Sequence, residues 1–133
     1  MSQSKSRHEA ERWWLTASDD LGAAKTLHEA GKYSHACFLS LQSSEKAMKA
    51  LWFVIDHDPC VHSIQNLVMK FPKQNLFERP NDWIAHASYL DNFYIPARYP
   101  NGLPDLTPSQ VYIFQDSEQA IEKQIFFWKK PVN

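Results

Sequence analysis

No proline occurs before Pro59, and all eight then fall between Pro59 and Pro131. Proline lacks the amide donor and clashes with the preceding helical turn, so its absence permits long uninterrupted helices and its clustering forces breaks. Glycine occurs only three times. The chain must therefore begin with long helices and finish in a broken, loop-containing half.

Apolar periodicity places the first helix at about Ser6 to Ala30. Ala10, Trp14, Ala17, Leu21, Ala24 and His28 share one stripe,. Gly31 supplies the stop. A second helix is predicted from about Tyr33 to Asp56. Its inner face carries Ala36, Cys37, Ser40, Leu41, Ala47, Met48, Leu51, Val54 and Ile55, and its opposite face still holds Phe38, Leu39 and Phe53. A helix apolar on most sides is buried on most sides, so it belongs at the centre, against other helices and a second subunit.

A short helix from about Ser63 to Phe71, stopped by Pro72, should follow. A fourth is predicted from Trp83 to about Phe93, capped by Asp82. The last has two possible starts: Thr107-Pro108-Ser109-Gln110, with capping and Pro-first signals, and Asp116-Ser117. The main helix is expected from about Gln115 to Lys130. The fold class is all-α, an up-and-down antiparallel bundle of about five helices in one domain over residues 1–133.

Composition narrows the functions. Hydrophobic residues make up 44% and the net charge is −1, so the chain is globular and has no global basic field to hold DNA,. No apolar run reaches membrane-span length. Cys37 and Cys60 form no disulfide framework. These features read as a reduced, soluble, cytoplasmic protein.

Four segments carry candidate chemistry. Gln42, Glu45, Lys46 and Lys49 recur on one face of the second helix. Periodicity alone makes them a solvated face with a Glu45–Lys49 pair. Their interleaving with Phe38 and Phe53 points instead to a groove where a lysine meets phosphate. In "YIPARYPNGLPD", Arg98 stands between two prolines and two tyrosines. Its guanidinium can hold a phosphate or carboxylate with two bonds, and Tyr94 and Tyr99 can stack on it or on a base. A structural pairing of Arg98 with Glu45 or Asp91 stays open. "DHDPCVH", Asp56 to His62, contains metal-ligand residue types, but its spacing matches no zinc pattern. Arg79 and His86 are the raw materials of RNA cleavage, one stabilising phosphate charge and the other moving a proton. No glycine-rich phosphate loop, nucleophile elbow or paired-carboxylate signature occurs, and no cofactor is implied.

"WWLTASDDLGAAKTLHEAGKYSHACFLSLQSSEKAMKALW" resembles the first two helices of HEPN domains, the higher-eukaryote and prokaryote nucleotide-binding family. "VHSIQNL" resembles that family's short His-led segment, and "YLDNFYIPARYPNGLPD" its RYP loop. The resemblance spans essentially the whole chain. It implies a helical bundle, a homodimer, nucleotide binding and a nucleotidyltransferase partner. Carried onto this sequence, the characteristic positions are Gln42, Glu45, Lys46 and Lys49, then His62, then Arg98-Tyr99-Pro100. RNase toxins of the family place a histidine four to six residues beyond an arginine near this loop. Here no histidine follows Arg98. The resemblance therefore implies a non-catalytic binding module. An RNase toxin using Arg79 and His86, and a purely structural interaction module, are the alternatives.

Overall fold

The computed structural model describes residues 3–127. Every regular element among them is helical. Helix α1 runs over Gln3–Glu29. Its buried stripe is Ala10, Ala17 and Ala24, spaced seven apart, and the last two are wholly inaccessible. Three methyl groups in line let the backbone of the next helix come close. Gly31 ends α1 with φ 80, in the left-handed region that glycine enters without strain,. Lys32 N then donates to Leu27 O and Gly31 N to His28 O, which satisfies carbonyls the helix leaves open,.

Helix α2, Tyr33–Val54, is the central element and touches α1 and every later helix. Its buried residues lie on all sides, from Ala36 and Ser40 to Met48 and Trp52, as the sequence pattern requires. Val54 departs from that pattern and is exposed, because the helix ends there. The chain reverses through Asp56, whose φ of 61 does what Gly31 does at the end of α1. His57 N donates to Trp52 O across the reversal, and Ser6 Oγ donates to the Asp56 carboxylate. The start of α1 is thereby tied to the end of α2.

Helix α3 is short, Ile64–Met69. Ser63 caps it by accepting from Asn66 N,. Asp91 adds a second cap from 27 residues away, accepting from Ile64 N at 3.0 Å and Gln65 N at 2.9 Å. At the other end, Gln74 Nε2 donates to the carbonyls of Val68, Met69 and Phe71. Trp52 Nε1 donates to Leu67 O, so the indole is buried with its donor satisfied,. A chain of rings, Trp52, Phe71, Phe77, Trp83 and Phe127, continues through the core with centroids 4.7 to 6.0 Å apart.

Helix α4 spans Pro80–Asp91. It begins three residues before the expected Trp83. Pro80 takes the first helical position, where its missing donor costs nothing, so Asp82 lies inside the first turn rather than capping it. Residues 92–98 continue as overlapping turns, with Ala97 N donating to Phe93 O and Tyr99 N to Ile95 O. The proline-rich stretch is therefore a run of overlapping turns leading to one 3-10 turn at Pro100–Gly102. A helix starts at Thr107-Pro108 as anticipated, while the main one begins at Phe114, just ahead of the expected Gln115, so that Asp116 lies inside its first turn. Helix α5, Pro108–Val111, has Gln110 Oε1 accepting from Thr107 N. Helix α6, Phe114–Phe126, starts with Asp116 accepting from Ile113 N. The expected end near Lys130 lies outside the described residues. The described residues thus hold six α-helices, against the five or so expected.

Polar groups also cross the core. Gln124 of α6 donates to Ser43 Oγ of α2, and Ser43 donates to Ala17 O of α1. One buried relay fixes the mutual register of three helices.

Candidate functional site

The residues singled out in the sequence fall on three neighbouring surfaces. Lys46 and Lys49 project from α2 toward α1. Lys46 Nζ is 2.6 Å from Asp20 Oδ2, and Lys49 Nζ is 3.1 Å from Glu45 Oε2. Lys49 also lies over Trp13, 5.2 Å from the ring centroid, and the whole residue is only 8% exposed. Trp13 in turn stacks on Phe53. Both ammonium charges are neutralised by carboxylates in partly desolvated surroundings. Neither is a vacant phosphate ligand.

Gln42, Glu45, His62 and Tyr94 come together in a cleft of about 530 Å³ between α2, the start of α3 and the end of α4. Ser63 and Asp91 complete it. The cleft is formed because the 92–98 turns fold back over α2 and because Asp91 clamps α3 beside it.

Arg98 is built differently. Its Nε donates to Tyr94 O at 2.8 Å. Its guanidinium lies 4.3 Å from the Phe38 centroid, 4.6 Å from Tyr94 and 4.8 Å from Tyr99. Three rings and one carbonyl therefore fix its plane. No carboxylate pairs with it among the described residues, so neither Glu45 nor Asp91 takes the structural role left open above. The side chain faces a cleft of about 550 Å³ that also includes Ser34, His35, Tyr99 and Ser109.

Other groups are spent on structure or kept neutral. Arg79 is exposed and sits 3.8 Å from Asp82. His86 lies two turns further along α4, half-buried, with its pKa lowered by burial first and then by Lys123. In "DHDPCVH", Asp56 accepts from Ser6, His57 Nδ1 meets Ile55 O and Cys60 leans on Asp58 O. Among the described residues no three His, Cys, Asp or Glu side chains gather to hold a metal ion. Burial, reinforced by the charge of Asp116, pushes the Cys37 thiol up to about 12, which makes it inert at neutral pH. His28 is held by Ser117 and by the rings of Tyr33 and Phe114. Among the described residues no helix is long and apolar enough to cross a membrane.

Sequence reasoning missed Asp20, Phe38 as the floor under Arg98, and His35 beside it. His35 and Phe38 are three apart on α2 and so share a face. That spacing is visible in the sequence. The pairing of Phe38 with a residue 60 positions later is not.

The fold has known counterparts. The family model of the HEPN domain matches residues 10–129. The chain belongs to the HEPN family. A crystal structure of a Thermus thermophilus protein superposes with a TM-score of 0.83 at 29% identity, covering 90% of this chain and 92% of that one. An archaeal HEPN homologue gives 0.73 at 33% identity, covering 90% and 91%. A HEPN domain protein from Thermotoga maritima gives 0.67 at 28%, covering 87% and 90%. No curated protein matches the chain.

Proposed function

We propose that this HEPN domain is a non-catalytic module that binds a nucleotide or a related phosphate ligand through Arg98. It works in the cytoplasm as a homodimer, with a partner such as a nucleotidyltransferase. The observation that carries this reading is the setting of Arg98. Rings orient its charge without neutralising it, whereas Lys46 and Lys49 already have carboxylate partners. A cation immobilised in advance loses little entropy on meeting an anion. The terminal guanidinium nitrogens can then make the paired, charge-assisted bonds that phosphate accepts. Tyr94, Ile95 and Tyr99 expose apolar surface beside it, which suits a base or a protein partner.

Calorimetry with ATP, GTP and their diphosphates tests the reading. Binding should be measurable at millimolar nucleotide, and Arg98→Ala should weaken it at least about tenfold, near the value of one charge-assisted contact. Arg98→Lys should restore only part of it, because an ammonium lacks the planar fork. Heats equal to buffer blanks for the wild-type protein would refute the proposal.

A further inference from the structure

Pro108 and Ser109 supply one wall of the Arg98 cleft, and the segment that carries them is fastened unlike the rest of the bundle. No residue from Tyr99 to Asp116 is buried. From Leu103 to Tyr112, each backbone amide that has a partner donates within residues 100–110. The side chains of Thr107, Ser109 and Gln110 likewise bond only within this stretch. Among the described residues no hydrogen bond or ion pair joins 103–112 to another helix.

The two ends are held by packing instead. A Cβ on Gly102 would stand 3.3 Å from Ile95 Cγ2 and Pro96 Cα, so the chain there is pressed onto the 92–98 turns. Tyr112 meets Phe93 edge-on, with centroids 5.7 Å apart,. Residues 104–111 lie between these two points. Their one regular element, the four-residue α5, is too short to persist alone,. It rests on α2, with Pro108 and Val111 its only half-covered residues. Just before it Asp105 has φ 61, a left-handed setting that a residue with a side chain enters at a cost,. A stretch with little covered surface, only local hydrogen bonds and a strained joint leaves its docked position at a small free-energy cost.

We propose that residues 104–111 are a lid on the Arg98 cleft. They lift off α2 as a unit, held at Gly102 and Tyr112, to admit the ligand, and re-dock with Pro108 and Ser109 beside it. The lid rests on the binding role proposed for Arg98 and adds how that site opens and closes. Re-docking removes water from around the guanidinium, which strengthens its attraction for an anion. It also makes ligand release wait for the lid to open.

The test is hydrogen exchange on the full chain, alone and with ATP at a concentration that saturates in calorimetry. Without ligand, the hydrogen-bonded amides of Leu106, Thr107, Gln110 and Val111 should exchange at one shared rate. That rate should be at least about a hundredfold faster than at the centre of α2. Bound ATP should slow it about tenfold or more. Arg98→Ala should keep the ligand-free rate and lose the ATP effect. Asp105→Val puts a β-branched residue in the left-handed region, at a position that does not line the cleft,. It should speed the ligand-free exchange about fivefold or more, leave α2 unchanged and release ATP faster in a stopped-flow chase. If ATP binds in calorimetry without slowing these amides, the lid is overturned and Arg98 keeps its role. The same holds if Asp105→Val speeds exchange but leaves ATP release unaltered. Amides that exchange only together with those of α2 overturn the lid too. If ATP gives no heat, the Arg98 reading itself falls and the lid falls with it.

Discussion

Lys49 and Arg98 are both cations packed against aromatic rings, yet they do opposite things. Lys49 has one ring, Trp13, and one carboxylate, Glu45, and the pair is nearly closed off from water. Arg98 has three rings and, among the described residues, no carboxylate. A carboxylate cancels a charge. A ring face attracts the charge and sets its direction but leaves it net positive. An aromatic neighbour alone therefore does not mark a binding cation. The missing counter-charge is what supports the binding role proposed for Arg98.

Removing the counter-charge should give the largest effect. Glu45→Ala leaves the Lys49 ammonium desolvated and unpaired, so unfolding stability should fall by roughly 3 kcal/mol, as for other broken buried pairs. A denaturant titration measures it. A loss below about 1 kcal/mol would mean that Lys49 escapes to solvent and that its pair resembles a surface one.

Removing a ring from the other cation should cost less. Phe38→Leu keeps most of the apolar volume but takes away the face nearest Arg98. Nucleotide affinity should drop about three- to fivefold, the range expected for one partly exposed cation–π contact. Unchanged affinity would show that Tyr94 O and the two tyrosines suffice to hold the guanidinium.

A third type of polar group extends the contrast, because burial rather than a partner decides its charge. Burial is the main cause that raises both Cys37 and Tyr89 to about 12. Both ordinarily titrate lower, at 9.0 and 10.0. The native state therefore holds its protons longer than the unfolded chain. Their contribution to stability is full below pH 9 and is lost progressively as pH rises from about 9 through 12. Chemical denaturation across that range should show a progressive decline, up to about 1.4 kcal/mol per pH unit for each group, reduced in Cys37→Ala. At neutral pH a thiol reagent should label Cys60, which is exposed, and spare Cys37 until the protein unfolds.

The helices are largely legible because their signals are local. Ala10, Ala17 and Ala24 announce a buried stripe, and Gly31 a stop, from spacing alone. The start of α4 is not, because Asp82 is a good cap in isolation, while Pro80 is a better first residue once the chain is already turning. The proline-rich stretch reads as a stiff loop because proline lacks the amide donor and clashes with the preceding turn. Pro96, the first of its three prolines, is nonetheless accommodated in overlapping turns. The site is legible residue by residue but not as a constellation. Glu45–Lys49 is an i, i+4 pair and can be read directly. Lys46–Asp20 spans 26 positions and Arg98–Phe38 spans 60, and no local rule encodes such pairings.

The clamp by Asp91 also sets an order of events. A six-residue helix cannot sustain itself, since nucleation costs more than so few hydrogen bonds return,. Helix α3 depends on a carboxylate that arrives with α4, on an amide from Gln74, and on the indole of Trp52. It has no independent lifetime before those partners dock. The wall of the candidate cleft that carries His62 and Ser63 is therefore a late-made surface, assembled only when the rest of the bundle is in place.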